Sequence, residues 1–172
     1  FTGMTGGFFH QSPAYNADNW ERAFSRCRGS IRLLQYQSGV VTMTLPLWCV
    51  FFSAVLIFLA RIPVGKAMNS EEGGYDNHHP RAQQLRLTGL GARALAAHQN
   101  SFEAFSLFAA GVLIATVTGS DGLLVSLLSV VFVLARALFL FFYCTDKPSP
   151  RSLCWFIGLL CSLLLMISPV FA

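Results

Sequence analysis

The sequence predicts an all-α fold, namely an up-and-down bundle of four transmembrane helices. Hydrophobic residues make up 54% of the 172 residues and charged residues only 12%, about half the charged share of a typical soluble domain. Four apolar segments approach the length of about 20 residues that a bilayer requires, and polar breaks separate them. A chain of this length has room for a single core, so one membrane domain is expected.

The predicted membrane helices follow the ends of the apolar segments. They run from about Leu45 to Leu59, from Gly89 to Val117, from Leu123 to Tyr143 and from Leu153 to Phe171. Arg61 and Pro63 are expected to end the first helix, and the polar stretch 65–87 is predicted to be a loop. The glycine-rich residues 119–122 predict a tight turn. The prolines within 146–150 predict the next break, because proline interrupts a continuous helix.

Residues 1–42 differ from the rest of the sequence. They combine glycines, aromatic residues and several arginines without a clear period, whereas Met43 opens an apolar segment that would be a natural start. Basic residues favour the cytoplasmic side of a membrane. The loops on one side carry Arg61, Lys66, Arg81, Arg86, Lys147 and Arg151, so the arginines of residues 1–42 would lie on the opposing side. We therefore expect residues 1–42 to be a disordered extension or an upstream translation outside the native chain, and residues 43–172 to form the membrane domain.

Several kinds of site are not indicated. The five cysteines include no CxxC pair, and three of them lie in apolar runs, where they are expected to act as small hydrophobic residues. His78 and His79 are adjacent and cannot form the one-face pair of a helical zinc site, so no metal is expected. The net charge of +4 is too small to indicate a nucleic-acid partner.

Polar residues within the predicted membrane helices are the candidates for a functional site, because an ionisable group at membrane depth costs at least a few kcal/mol. They are Arg93, Asn100 and Glu103 in helix two, Arg136 and Tyr143 in helix three, and Arg151 and Ser152 near the start of helix four. The three in helix two share one face, and His98 lies nearly opposite. Two interpretations stay open: a structural network of ion pairs and hydrogen bonds, or a cationic crevice for a ligand that carries carboxylates.

The order and spacing of these residues resemble the MAPEG family, the membrane-associated proteins of eicosanoid and glutathione metabolism. The family pattern in helix two stands here as Arg93, His98, Asn100 and Glu103, followed by Phe105. An Arg and a Tyr seven residues apart follow in helix three, and an Arg-Ser pair opens helix four. The stretch 75–89 resembles the loop of bacterial members, which implies the bacterial inner membrane.

The resemblance implies a homotrimer of four-helix protomers, with glutathione as co-substrate between neighbouring protomers at the cytoplasmic end. The glutathione-binding residues expected on this basis are Arg93, Asn100, Glu103, Arg136 and Tyr143. Arg151 would be the catalytic residue that stabilises the glutathione thiolate, and Ser152 would donate a hydrogen bond near the sulfur. A lipophilic small-molecule substrate would enter from the lipid bilayer.

The activity that the resemblance implies is that of a glutathione transferase or peroxidase acting on lipophilic substrates, and the presence of Arg151 favours it. Ala96 and Gln99 depart from the family pattern, since other members carry basic residues there. These departures favour the alternative of a non-catalytic lipid-binding or scaffold protein of the same fold. A small transporter is a third hypothesis, but no repeat of broken helices supports it.

Overall fold

The computed structural model describes residues 43–120 and 122–171. Within these residues the chain forms five α-helices and a short 3₁₀ helix at Ser168–Phe171. The α-helices are α1 (Leu45–Asn69), α2 (Pro80–Arg86), α3 (Gly89–Val117), α4 (Leu123–Cys144) and α5 (Pro148–Ile167). All but α2 are long and apolar enough to cross a membrane. The predicted all-α fold with four membrane helices is therefore confirmed, whereas the expectation for residues 1–42 lies outside the described residues.

The centre of the bundle is the pair α3 and α4, because each of these helices packs against both α1 and α5. Phe108 of α3 and Phe132 of α4 stack face to face, with ring centroids 3.9 Å apart. Both rings are almost completely buried. Gly111 brings α3 close to α5, since a Cβ atom there would lie 2.9 Å from the Cβ of Leu165. Small residues of this kind let membrane helices approach closely.

Helix α1 continues ten residues beyond its predicted end at Leu59, so the prediction that Arg61 and Pro63 end it is wrong. Pro63 lies inside the helix and has no N–H to donate to the carbonyl four residues before it. The helix continues because Val64 and Met68, both fully buried, pack in a second core cluster with Leu87 and Ala94. Burial of this last part of α1 outweighs the one hydrogen bond that proline removes.

The stretch 65–87 is only partly a loop, because its first residues complete α1 and Pro80–Arg86 forms α2. The loop between them is organised by Gln83, whose side chain is 1% exposed. Its amide donates to the carbonyl oxygens of Met68 and Gly74, at 2.9 Å each, and accepts from the Asp76 N–H at 3.0 Å. The Asp76 carboxylate accepts from the N–H groups of His79 and His78, which lowers the pKa of that carboxyl.

Helix α5 begins at Pro148, five residues before the predicted start, and the break is shorter than predicted. Both prolines are tolerated in the first turn, where backbone N–H groups have no partner within the helix. Helix α4 ends at Cys144, and Asp146, two residues later, adopts a left-handed conformation with φ of 59°. The following N–H, that of Lys147, donates to the carbonyl of Phe142 at 2.9 Å. Arg151 consequently lies in the first turn of α5.

Candidate functional site

The site begins with two polar side chains one turn apart on α3. The Asn100 side-chain amide donates a hydrogen bond of 2.9 Å to the Glu103 carboxylate. Residues three apart face each other on a helix, so the sequence spacing alone brings them together. The Glu103 side chain is exposed, and its carboxylate can accept further hydrogen bonds. This pair forms the acidic edge of the site.

Arg136 of α4 reaches this pair from the interior of the bundle and is only 4% exposed. Its Nη2 donates to the Asn100 side-chain oxygen at 3.2 Å and to the Ser101 hydroxyl at 3.4 Å. Both acceptors are neutral, and within residues 43–120 and 122–171 no carboxylate forms an ion pair with Arg136. A buried cation held by neutral groups keeps its full positive charge available to an anion.

Arg151 and Ser152 approach from the start of α5. The Arg151 guanidinium carbon lies 4.5 Å from the centroid of the Tyr143 ring, a cation–π contact. Tyr143 stands near the end of α4, seven residues after Arg136, and therefore on the same face. The short turn 145–147 places the two helix ends side by side.

Two grooves adjoin at these side chains. The Arg136 groove has about 430 Å³ of empty space and is lined by Asn100, Glu103 and Arg136 together with apolar side chains that include Leu107 and Leu159. The Arg151 groove has about 520 Å³ and is lined by Asn100, Phe139, Tyr143, Arg151, Ser152 and Trp155. Asn100 and Trp155 line both grooves. One composite site therefore contains two arginines, one Glu and an apolar wall.

Comparison with family models shows to which protein family the chain belongs. The MAPEG family model matches residues 45–171, which is more than half of the 172 residues. The chain belongs to the MAPEG family. Neither the curated proteins nor the solved structures gave a match to it. As a member of a family of glutathione and eicosanoid metabolism with four apolar helices, it is an integral membrane protein.

Most of the residues that the MAPEG resemblance singles out meet at the two grooves. Asn100, Glu103, Arg136, Tyr143, Arg151 and Ser152 all line one groove or both. This proximity was expected from the spacing on each helix. The structure additionally shows that Asn100 joins the two grooves, because its amide group contacts Glu103 and Arg136 at once.

Arg93 is the exception among the predicted glutathione-binding residues. It shares a face with Asn100 but lies two turns away, and it lines neither groove. Its Nη1 lies 3.4 Å from the Asp146 carboxylate, so it ties α3 to the turn between α4 and α5. In the structure Arg93 therefore joins α3 to the turn after α4, and it is not brought together with the groove residues.

His98 of this MAPEG chain faces away from the grooves, as its helical position predicts. Its Nδ1 lies 3.0 Å from the carbonyl oxygen of Ile57, which links α3 to α1. The ring also packs edge-to-face on Phe102, with centroids 5.2 Å apart. In the structure His98 is therefore a contact between α3 and α1.

Three residues that contact Arg136 or line both grooves were not singled out from the sequence. Ser101 accepts from Arg136, Phe139 lies under its guanidinium, and Trp155 lines both grooves. The sequence spacing could have identified two of them, Phe139 and Trp155. Phe139 falls between Arg136 and Tyr143 at steps of three and four, and Trp155 follows Arg151 by four residues. Ser101 could not be found this way, because a serine in an apolar helix usually bonds its own backbone.

Proposed function

We propose that this protein is a glutathione-dependent transferase or peroxidase that acts on lipophilic substrates. The observation that carries the proposal is the charge pattern of the two adjoining grooves, with Arg136 and Glu103 in one groove and Arg151 in the other. Glutathione carries two carboxylates and one ammonium group, so its charges complement two arginines and one Glu. The family itself is associated with glutathione, which supports the same ligand.

The Arg136 groove suits one end of the peptide. Arg136 bonds only neutral oxygens, and binding a carboxylate would supply the counter-charge that a buried guanidinium favours. The Glu103 carboxylate, one turn from Asn100, would accept from an ammonium group. The Asn100 amide lies between Arg136 and Glu103 and would hold the peptide in position between them.

The Arg151 groove suits the thiol. A guanidinium beside a thiol favours its ionised form, and the thiolate is the nucleophile. The thiol proton passes to water, and the sulfur then forms a bond to an electrophilic carbon whose leaving group departs with the bonding electrons. With a hydroperoxide, the sulfur attacks the terminal oxygen, the alcohol leaves, and a second glutathione displaces water to give the disulfide. Ser152 would donate a hydrogen bond to the sulfur.

Further features support a membrane setting for the second substrate. Apolar side chains such as Leu107, Leu159 and Trp155 line the Arg136 groove, next to the proposed peptide site. We propose that the substrate enters from the bilayer, and that the protein works as a homotrimer with glutathione between protomers. The proposal places the chain in a bacterial inner membrane, with Arg151 at the cytoplasmic end.

Titration of the full-length protein in detergent with glutathione, while the thiolate absorbance is followed, tests the proposal. We expect a thiolate signal at neutral pH that Arg151→Ala abolishes. Arg86→Ala is the matched control, because it removes one exposed positive charge on α2 and leaves the grooves unchanged. Lack of binding at millimolar glutathione would refute the proposal. Binding without a thiolate signal would favour the non-catalytic alternative.

A further inference from the structure

The two arginines of the site are connected by two aromatic rings of α4. The Arg136 guanidinium carbon lies 4.0 Å from the centroid of the Phe139 ring. The Phe139 and Tyr143 rings meet edge-to-face, with centroids 5.3 Å apart and an interplanar angle of 72°. Arg151 in turn lies over the Tyr143 ring. We call Phe139 and Tyr143 the aromatic pair.

The two members of the aromatic pair differ in how firmly they are held. Phe139 is 3% exposed and packs in a buried cluster with Ala97 and Cys154. Tyr143 is only half-buried and lies at the edge of that cluster. Edge-to-face contact is a favoured geometry for two aromatic rings, so the fixed ring orients the freer one. The position of the Tyr143 ring therefore depends on Phe139.

The Arg151 guanidinium depends on the Tyr143 ring in the same way. Among the described residues, no hydrogen bond or ion pair holds the Arg151 side chain, and its backbone N–H bonds the Lys147 carbonyl. A cation over an aromatic face is attracted by the negative charge of that face. The ring of Tyr143 is thus the contact that sets where the guanidinium stands above the Arg151 groove.

We propose that Phe139 is a positioning residue for Arg151 and acts through the ring of Tyr143. The inference rests on the proposed function, since Arg151 is there the group that stabilises the glutathione thiolate. Phe139 lines the Arg151 groove but offers no polar atom to the thiol. Its contribution is to keep the charge of Arg151 close to the sulfur.

The first test measures the pKa of the thiol of bound glutathione, from thiolate absorbance against pH, with the full-length protein in detergent. Phe139→Leu keeps an apolar side chain but removes the ring. We expect the thiol pKa to rise by about half a unit, which corresponds to a roughly threefold smaller thiolate fraction near neutral pH. Phe139→Tyr keeps the ring and is expected to keep the wild-type pKa, so a rise in Phe139→Leu is assigned to the loss of the ring.

Phe141→Leu is the matched control. Phe141 lies on α4 two residues from Phe139, is 57% exposed, and contacts Phe142 rather than a groove residue. We expect this variant to leave the thiol pKa unchanged. The inference is overturned if wild-type protein lowers the thiol pKa and Phe139→Leu lowers it equally. An equal rise in Phe141→Leu would overturn it as well.

A second measurement needs no glutathione and separates the inference from the proposed function. Phenylglyoxal modifies accessible arginines, and mass spectrometry reports the rate at each one. Release of the Tyr143 ring in Phe139→Leu should speed modification of Arg151 several-fold, while the exposed Arg86 reacts at an unchanged rate. An unchanged Arg151 rate would overturn the inference. If wild-type protein fails to bind glutathione, the proposed function falls, and the modification rate alone decides whether Phe139 positions Arg151.

Discussion

At the scale of single residues, Arg136 is the most informative side chain of the protein. A buried guanidinium that donates hydrogen bonds only to an amide and a hydroxyl oxygen is costly, because no carboxylate contacts it directly and the Glu103 carboxylate is reached only through Asn100. A network whose purpose was stability would place a carboxylate there. The arrangement is better suited to a protein that obtains the missing negative charge from a ligand.

Replacement of Arg136 by leucine tests this reasoning. Removal of an uncompensated buried charge in favour of an apolar side chain is expected to leave the thermal unfolding midpoint in detergent unchanged or raised. Glutathione affinity is expected to fall by about ten- to a hundredfold, the value of a charge-assisted hydrogen bond to a carboxylate. A large loss of stability with unchanged affinity would instead show that Arg136 is structural.

At the scale of elements, the sequence predicted the ends of α3 and the start of α4 correctly, because glycine and turn residues mark those positions. The predicted secondary structure was wrong where the burial of side chains opposed a rule based on the local sequence. Proline did not stop α1 since Val64 and Met68 are buried beyond it. Gln83 was assigned to a loop because nothing in a polar sequence distinguishes a buried amide from an exposed one.

The candidate site, like the helix ends, was predicted correctly where spacing along one helix decides a contact. It was not predicted where a contact depends on residues distant in the sequence. Helical spacing predicted that Asn100 and Glu103 share one face of α3, and both line the Arg136 groove. The partner of Arg93 could not be predicted in this way. Asp146 lies near it in the turn after α4, in a left-handed conformation that its residue type permits but does not dictate.

The close approach of α3 and α5 yields a prediction at this scale. In Gly111→Ala the new methyl group would lie 2.9 Å from the Leu165 Cβ and 3.0 Å from the Ser162 carbonyl oxygen. Overpacking of this kind typically costs about 1–3 kcal/mol, so the unfolding midpoint should fall. Gly65→Ala is the control, since it lies inside α1 with no atom within 4 Å of the added carbon. That variant should be neutral or slightly more stable.

At the scale of the whole molecule, the basic residues within 43–120 and 122–171 gather at one end of the bundle. The ends joined by the connections 70–79 and 145–147 carry the arginines and lysines, whereas the described residues around the turn 118–122 include none. Positively charged loops remain in the cytoplasm during insertion. The Arg151 groove, which adjoins the connection 145–147, would therefore receive its ligand from the cytoplasm.

Single cysteines at the two ends test this orientation in intact cells. Asn77→Cys lies in the exposed connection between α1 and α2, and Gly122→Cys lies at the start of α4. A membrane-impermeant maleimide should label the second variant from outside and the first only after permeabilisation. The wild-type protein, in which Cys49, Cys154 and Cys161 are buried and Cys144 is half-buried, gives the background for each variant. The reverse pattern of labelling would contradict the orientation.

The length of the turn 145–147 also determines how the side chains of α5 are aligned with those of α4. Tyr143 belongs to α4 and Arg151 to the first turn of α5, so their contact depends on how many residues separate the two helix ends. One additional residue would rotate every side chain of α5 by about 100° unless the turn absorbed it. The contact between Arg151 and Tyr143 therefore requires that the length of this connection, as well as the identity of its residues, is kept.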